Sequence, residues 1–492
     1  MKYILAIDQG TTGSRACLYD KFANKIASSY EEFPQIFPKP GWVEHDPEKI
    51  WKSVNNSIQK VFSTVRGTQI AAIGITNQRE TTVLWDKITG KPVYNAIVWQ
   101  CRRTAQRCQE LKSDKNNVKL VRNITGLPID AYFSATKIEW ILNNVPGVLK
   151  KAKEGRILFG TADTWILYKL TGGASHATDF TNASRTMLFN INKLTWDNVL
   201  LRKFKIPTQI LPIVKKSSSV FGKTIKIGKL PKGIPICIAG DQQAALFGQA
   251  CFSKGDIKNT YGTGSFVLLN TGKKKIISKF GLITTLACGS KGEPVYALEG
   301  SAFIAGAAIQ WLRDGLKILS NAGLSEKIAL SLKDNAGVYF VPALVGLGAP
   351  YWQSDASGLI CGVTRGTNAN HFVRAALEAI CYQTKDLLIA MQKDSHLSIK
   401  SLKIDGGAAV NNFLCQFQSD ILRIKVIRPK IIESTSLGAA YLAGLAVGYW
   451  KNTKEIARYW RTDKVFYPKM TDKLSNVFYK GWLKAIERTL AK

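Results

Sequence analysis

The chain opens on KYILAIDQGTTGSRACLYD, and no other stretch narrows the possible folds as much. Residues 3–7 are an unbroken apolar run, the pattern of a strand covered on both faces. Asp8 follows, then a Gly-Thr-Thr-Gly turn from Gly10 to Gly13, then a second strand through residues 16–19. The result is a hairpin with a polar, glycine-rich tip. The plan recurs halfway along the chain, where KNTYGTGSFVLLNT at residues 258–271 reads as another such hairpin.

Each hairpin is joined by further buried strands that stop at polar clusters. Residues 70–76 (IAAIGIT) run into Asn77-Gln78-Arg79-Glu80. Residues 235–240 end at Asp241, and residues 401–405 run into Gly406-Gly407. Strand ends of this kind are where α/β proteins hold ligands. Residues 82–86 and 96–99 read as shorter strands, and residues 136–143 and 161–170 as helices. A long helix spans 371–393, with apolar positions Phe372, Ala376, Ala379, Ile380, Leu387 and Met391, and a further helix spans 411–422. The helix at 435–448 is rich in small residues, which suits close packing on a neighbour. The fold class is therefore α/β: two duplicated domains, each led by its hairpin, with a cleft between them. Breaking the chain near 248–255 gives domains 1–249 and 250–492.

The charge invites a different reading. The 492 residues carry 68 Lys and Arg against 35 Asp and Glu, a net +33. Such an excess suggests nucleic acid or an anionic membrane. Yet it divides evenly, +18 in residues 1–250 and +15 in the rest, and its longest lysine run is only 273–275. Lys outnumbers Arg 50 to 18, whereas base readout and bidentate phosphate binding favour Arg. A solvated lysine surface accounts for it, and no nucleic-acid partner is expected. Nine cysteines are scattered without a CxxC pair or a nearby His, as buried reduced thiols would be. Five apolar residues at the start are too few for a signal-peptide core, and no stretch is long enough to enter a membrane. A cytoplasmic location is expected.

Three glycine-rich turns stand out, at 8–13, 261–264 and 405–407. Glycines let backbone N–H groups crowd a phosphate, and an adjacent Asp, which two of the turns have in Asp8 and Asp405, is a natural Mg²⁺ ligand. The familiar nucleotide motifs are absent: Gly222-Lys223-Thr224 lacks the upstream glycine of a P-loop, with Ser217 in its place. Gly262-Thr263-Gly264 has Val267 where a dinucleotide fingerprint needs its third glycine. The four histidines (45, 176, 371 and 396) have no Ser or Cys companion, so proton abstraction falls to a carboxylate. Asp241 is open to two readings, a general base or the N-cap of a helix starting at Gln242. Arg79-Glu80 is either a surface ion pair or a donor and acceptor matched to a polyol. Trp99 and Phe266 read most simply as core aromatics.

The segments IDQGTTGSR, GITNQRETTVLWD, AIVWQCRRT, GDQQAALFGQ, NTYGTGSF and DGGAAVNNF follow one another along the chain. They are joined by FSATKIEWILNN at 133–144 and GLICGVTRGTNANHFVRAALE at 358–378. Together they resemble the FGGY carbohydrate kinases of the actin-like ATPase superfamily, and within it the branch that phosphorylates glycerol. The resemblance runs from Lys2 to about Trp450. It implies two actin-like (ribonuclease H-like) domains, with ATP and glycerol as substrates and a homo-oligomer, dimer or tetramer. It further implies that Arg79, Glu80, Tyr132, Asp241 and Gln242 hold the glycerol hydroxyls, with Trp99 and Phe266 as apolar walls and Asp241 as general base. Thr11, Thr12, Gly13, Arg15 and Thr263 fall to the nucleotide phosphates, and Gly306, Gln310, Gly407 and Asn411 to adenosine. Asp8 falls to Mg²⁺. The chain departs from the family in three places. Gly13 stands where members often have Ser, the stretch 228–233 lacks the arginine of the family's bacterial loop for fructose 1,6-bisphosphate, and no His lies between His176 and His371. A pentulose kinase of the same family, a nucleic-acid-binding role for the basic surface and an actin-like assembly ATPase are the alternative readings.

Overall fold

The N-terminal apolar run lies at the centre of a six-stranded mixed sheet in the computed structural model, which describes residues 2–65, 69–353 and 355–491. Its strands are β1 (Lys2–Gln9), β2 (Gly13–Tyr19), β3 (Lys25–Glu32), β4 (Gln69–Asn77), β5 (Gly222–Lys223) and β6 (Pro235–Gly240). Their order is β5-β6-β4-β1-β2-β3. β1 and β2 form the antiparallel hairpin, while β4 runs parallel to both β1 and β6. Ile4, Leu5, Ala6, Ile7, Ile73, Ile75, Ile236 and Ile238 are all buried, which is why these strands are continuously apolar rather than alternating. The helix Pro47–Thr64 adds Val54, Ile58 and Val61 to the same core. The helix Ser434–Ala446 approaches so closely that a Cβ at Gly74 on β4 would stand 2.2 Å from the Ala439 carbonyl oxygen.

The second sheet repeats the plan. It contains β7 (Ile257–Tyr261), β8 (Ser265–Gly272), β9 (Ile283–Cys288), β10 (Pro294–Ala302), β11 (Ser401–Asp405), β12 (Lys425–Pro429) and β13 (Thr462–Phe466). Their order is β9-β10-β8-β7-β11-β12-β13. Again a hairpin, β7 with β8, lies beside two parallel strands, β11 and β12, and an antiparallel edge strand closes the row. The helix Ala369–Ser395 buries Val373, Ala376, Ile380, Leu387 and Met391 in this unit's core, with Phe372 half-buried beside it. Two α/β units built on one scheme match the expected fold class.

The compact units are not two uninterrupted halves. One comprises Met1–Phe252, Thr284–Tyr296 and Ser434–Tyr459, and the other Ser253–Ile283, Ala297–Glu433 and Trp460–Lys492. Most predicted elements are present with ends moved by a residue or two. The strand expected over 96–99 stops at Ile97, and the Trp99 N–H turns to the Thr81 hydroxyl instead of a ladder partner. The helix expected from Asn411 begins at Asn412, with Asn411 as its N-cap accepting from the Leu414 N–H. A short 3₁₀ turn at Gly407–Val410 was not anticipated. All nine cysteines are free, and eight are buried. Among the described residues no helix is long and apolar enough to cross a membrane.

Candidate functional site

Sheet register brings three polar clusters of the first unit together. Gln9 at the end of β1 pairs with Asn77 at the end of β4, and Gly240 at the end of β6 pairs with the same Asn77. The residues that leave these strands therefore emerge side by side at the carboxyl ends of three parallel neighbours, β1, β4 and β6. Beneath them lies a buried polar layer. Asn77 donates to the Asn182 side chain, and Asp179 accepts from Thr181 and Ser217, while the Thr181 hydroxyl accepts the Gly240 N–H. Asp163, fully buried, accepts from Thr161 and Thr178; burial pushes its carboxyl up to about 6.

Above this layer the charges alternate. The Arg79 Nε lies 2.9 Å from an Asp241 oxygen and 3.9 Å from a Glu80 oxygen, and Arg185 Nε donates to that same Glu80 oxygen at 2.6 Å. Arg79, Glu80 and Arg185 are each at most 2% exposed, so Arg79-Glu80 is no surface ion pair. Asp241 is the accessible end of the row, with its side chain 26% exposed. It is the first residue of the helix Asp241–Gly248 and not its N-cap, which is Gly240. Its carboxylate accepts from the Gln242 N–H at 2.7 Å and from the Gln242 amide at 3.2 Å. Tyr132 packs edge-on against Trp99, with ring centroids 5.6 Å apart. Trp99 is half-buried, not a core residue, and its indole N–H donates to the Thr11 hydroxyl at 3.0 Å.

Thr11 belongs to the tip of the first hairpin, closed by a Gly10 N–H to Gly13 carbonyl bond. Asp8 faces Arg15 across this hairpin. Burial and the neighbouring Asp241 charge push the Asp8 carboxyl up to about 7, although Arg15 opposes the shift. A carboxylate disfavoured by its own surroundings is suited to a divalent cation, and Mg²⁺ needs only one or two protein carboxylates besides phosphate and water oxygens. No cluster of three or more metal-ligating side chains exists among the described residues. At Gly13 the space for a side chain is already taken, since an added Cβ would stand 2.5 Å from the Tyr30 hydroxyl. That hydroxyl is hydrogen-bonded to the exposed Thr12 at 3.1 Å, and the Arg15 guanidinium lies over the Tyr30 ring.

The second unit holds the remaining residues. The Gly262–Gly264 turn docks on the start of the helix Gly306–Asp314: the Ala305 and Ala307 N–H groups donate to the Thr263 carbonyl, and Gly306 N–H to the Gly262 carbonyl. A Cβ at Gly306 would approach that carbonyl to 2.7 Å, so glycine permits the contact. Gln310 is exposed one turn further along the same helix face. Gly406 meets the Tyr261 backbone just as closely, which brings the third glycine turn against the second. Gly407 beside it is exposed with open space around it, whereas the Asn411 side chain is largely taken up by its cap and by Ser325. Phe266 is half-buried on β8.

Several contributors escaped the sequence reading. Arg185 and Lys137 are fully buried; the Lys137 ammonium donates to the Tyr132 carbonyl at 2.5 Å and so fixes that turn. Burial lowers the Lys137 amine to about 8, with Glu80 opposing. Gln243 accepts from Arg79, and Ser134 donates to the Glu80 carbonyl. Only Lys137 left a trace in the sequence, as a lysine set between Ala135 and Ile138 in the helical stretch FSATKIEW. The assembled site presents paired donors and acceptors, an accessible carboxylate and an aromatic wall, next to a glycine-threonine hairpin tip.

Known proteins share this chain's sequence and fold. Residues 3–248 match the FGGY family of carbohydrate kinases, N-terminal domain, and residues 257–447 its C-terminal domain. A glycerol kinase 2 of Thermotoga maritima is 58% identical over 100% of this chain and 99% of its own length. A glycerol kinase of Fusobacterium nucleatum is 57% identical over 99% of both. Among solved structures, the glycerol kinase of Plasmodium falciparum with ADP superposes with a TM-score of 0.91 at 40% identity, covering 100% of this chain and 99% of that one.

Proposed function

The chain belongs to the FGGY family of carbohydrate kinases, and from that premise we propose that it phosphorylates glycerol at the expense of ATP, giving sn-glycerol 3-phosphate and ADP. One observation carries the reading: relatives named glycerol kinase are 57–58% identical to it over essentially the full length. The polyol chemistry of the Arg79, Glu80, Tyr132, Asp241 and Gln242 cluster supports it. A triol both gives and accepts hydrogen bonds at every carbon, and this cluster offers both functions within a few ångströms. Trp99 supplies apolar surface for the carbon chain, and the family reading gives Phe266 the same role.

In this reading Asp241 accepts the proton of the terminal hydroxyl. The oxygen then attacks the γ-phosphorus in line, and the bond to the ADP oxygen breaks. Arg79, bridging Asp241 and Glu80, keeps the accepting carboxylate in place. Thr11, Thr12, Gly13 and Arg15 on the first hairpin and Thr263 on the second hold phosphate oxygens and stabilise the charge spread over them. Gly306, Gln310, Gly407 and Asn411 hold the adenosine. Asp8 is the carboxylate that would hold Mg²⁺, whose chemistry when bound is to neutralise phosphate charge. A homo-oligomer is the assembly this family reading favours.

A coupled assay for ADP release with glycerol, xylulose and gluconate tests the proposal. Glycerol is expected to exceed the others in kcat/KM by at least ~100-fold, as expected where buried polar groups are left unpaired by the wrong substrate. Asp241→Asn is expected to fold normally and lose ~10³-fold in kcat, within the usual reach of general-base catalysis. A preference for the pentulose, or near-normal turnover by the Asn variant, would overturn the substrate or the base assignment respectively.

A further inference from the structure

We propose that Arg185 is the positioning residue that aims the Glu80 carboxylate and braces the Tyr132 ring, and thereby sets the hydroxyl pattern the polyol site accepts. The inference rests on the reading of Glu80 and Tyr132 as polyol ligands.

Arg185 follows the helical turn Phe180–Ala183 and has no exposed surface. Its Nε donates to Glu80 Oε1 at 2.6 Å, and its guanidinium lies 5.5 Å from the centroids of both the Tyr132 and Phe133 rings. One cation thus touches two of the expected polyol ligands at once. Arg79 cannot take over the task. It sits 2.9 Å from Asp241 and 3.9 Å from Glu80, so its closer engagement is with the proton-accepting carboxylate. Two arginines serving two acids is what keeps each acid in its own place.

Glu80 needs such a hold. Its φ of +62° lies in the left-handed region, which non-glycine residues seldom adopt. Ser134 and Thr82 hydroxyls fasten its carbonyl, but the direction of the carboxylate depends on what it pairs with. Without Arg185, Glu80 loses its 2.6 Å partner, and the pull of Arg79, 3.9 Å away, draws it from the position it holds now. The planar guanidinium is required for this double contact: it donates edge-on through Nε while lying against aromatic rings, which a compact ammonium cannot do.

The test is steady-state kinetics with glycerol, propane-1,2-diol, propane-1,3-diol and ATP as varied substrates. The proteins are the parent, Arg185→Met, Arg185→Lys, Glu80→Gln and the Arg185→Met/Glu80→Gln double variant. Arg185→Met is expected to raise the glycerol KM at least ~10-fold while the ATP KM stays within about twofold. The preference for glycerol over the two diols narrows at least ~10-fold, because the carboxylate no longer faces the hydroxyl it reads. Arg185→Lys recovers only part of that preference. The double variant loses clearly less than the sum of the two single losses, since the larger part of the Arg185 effect runs through Glu80 and only the support of Tyr132 is independent of it. Additive losses in the double variant, or equal losses toward ATP and glycerol, overturn the proposal. Should Arg185→Met fail to fold, Arg185→Lys carries the test, and kinetics identical to the parent refute it. A Glu80→Gln variant with the parent's triol preference defeats the site reading itself, an outcome separate from failure of Arg185 alone.

Discussion

Gly438→Ala should move the proposed base without touching it. The helix Ser434–Ala446 and the helix Asp241–Gly248 cross with almost no side chains between them. A Cβ at Gly438 would stand 1.7 Å from the Ala244 carbonyl oxygen and 2.9 Å from the Gly248 nitrogen. The reverse contact is as tight, with a Cβ at Gly248 only 2.0 Å from the Ser434 carbonyl oxygen. Carbon contacts settle at about 3.5 Å, so one methyl forces the pair apart by roughly 1.5–2 Å. Backbone atoms cannot swing aside as a side chain can, which puts the cost at or above the upper end of the ~1–3 kcal/mol typical of overpacking. For a unit of this size that is a fall of about 5–10 °C in Tm. The helix that must shift begins with Asp241, while its partner Arg79 stays with β4. A displacement near 1 Å at a reacting group costs on the order of 10²-fold, so kcat should fall 10- to 100-fold. Thermal unfolding and glycerol turnover of Gly438→Ala report both effects. Gly366→Ala is the control, since an added Cβ there meets nothing within 4 Å. If Gly438→Ala keeps its Tm within about 1 °C and its kcat within about twofold, the argument from close helix contact is wrong.

Three further outcomes are expected. Burial raises the Asp163 carboxyl from 3.8 to about 6, so the folded protein holds this proton more tightly and stability falls as pH rises from about 4 to 6. The whole rise corresponds to ~3 kcal/mol, of which most falls above pH 4.5; urea unfolding of the parent and Asp163→Asn should diverge by about 2 kcal/mol between pH 4.5 and 7.5, and a constant difference would refute the assignment. Trp99→Phe removes the indole bond to Thr11. A lost hydrogen bond of ~1 kcal/mol predicts about a fivefold rise in the ATP KM, and a variant altered only toward glycerol would break the proposed link between Trp99 and the hairpin tip. Asp8→Asn should raise the Mg²⁺ concentration for half-maximal activity at least ~10-fold, comparable to the loss of other groups that support a metal site; an unchanged Mg²⁺ titration would remove Asp8 from that role.

The candidate site was legible where chemistry sits at the end of a local pattern. Asp8, Arg79-Glu80 and Asp241 each follow an apolar strand, and the strand can be read from its own residues. Arg185 follows no such pattern. It is a single arginine after a four-residue helical turn, and its partner Glu80 lies 105 positions away. The bland reading of Arg79-Glu80 as a surface pair failed for the same reason, because burial at 2% depends on what covers the pair. Tyr30 was hidden as well, in a strand of alternating exposure whose only signal is solvent contact.

The sequence by itself determined two α/β sheets built on glycine-tipped hairpins, the polar residues at their strand ends, and a family whose motifs run the length of the chain. Apolar runs and turn glycines act over a few residues, so local order carries that information. Tertiary structure decided which charge holds which. It placed Gln9, Asn77 and Gly240 in one register row, matched Arg79 to Asp241 and Arg185 to Glu80, and joined the helix Ser434–Ala446 to the unit that begins the chain. Ion pairing and close packing depend on distances of a few ångströms between segments hundreds of residues apart, and those distances exist only once the sheet register is set.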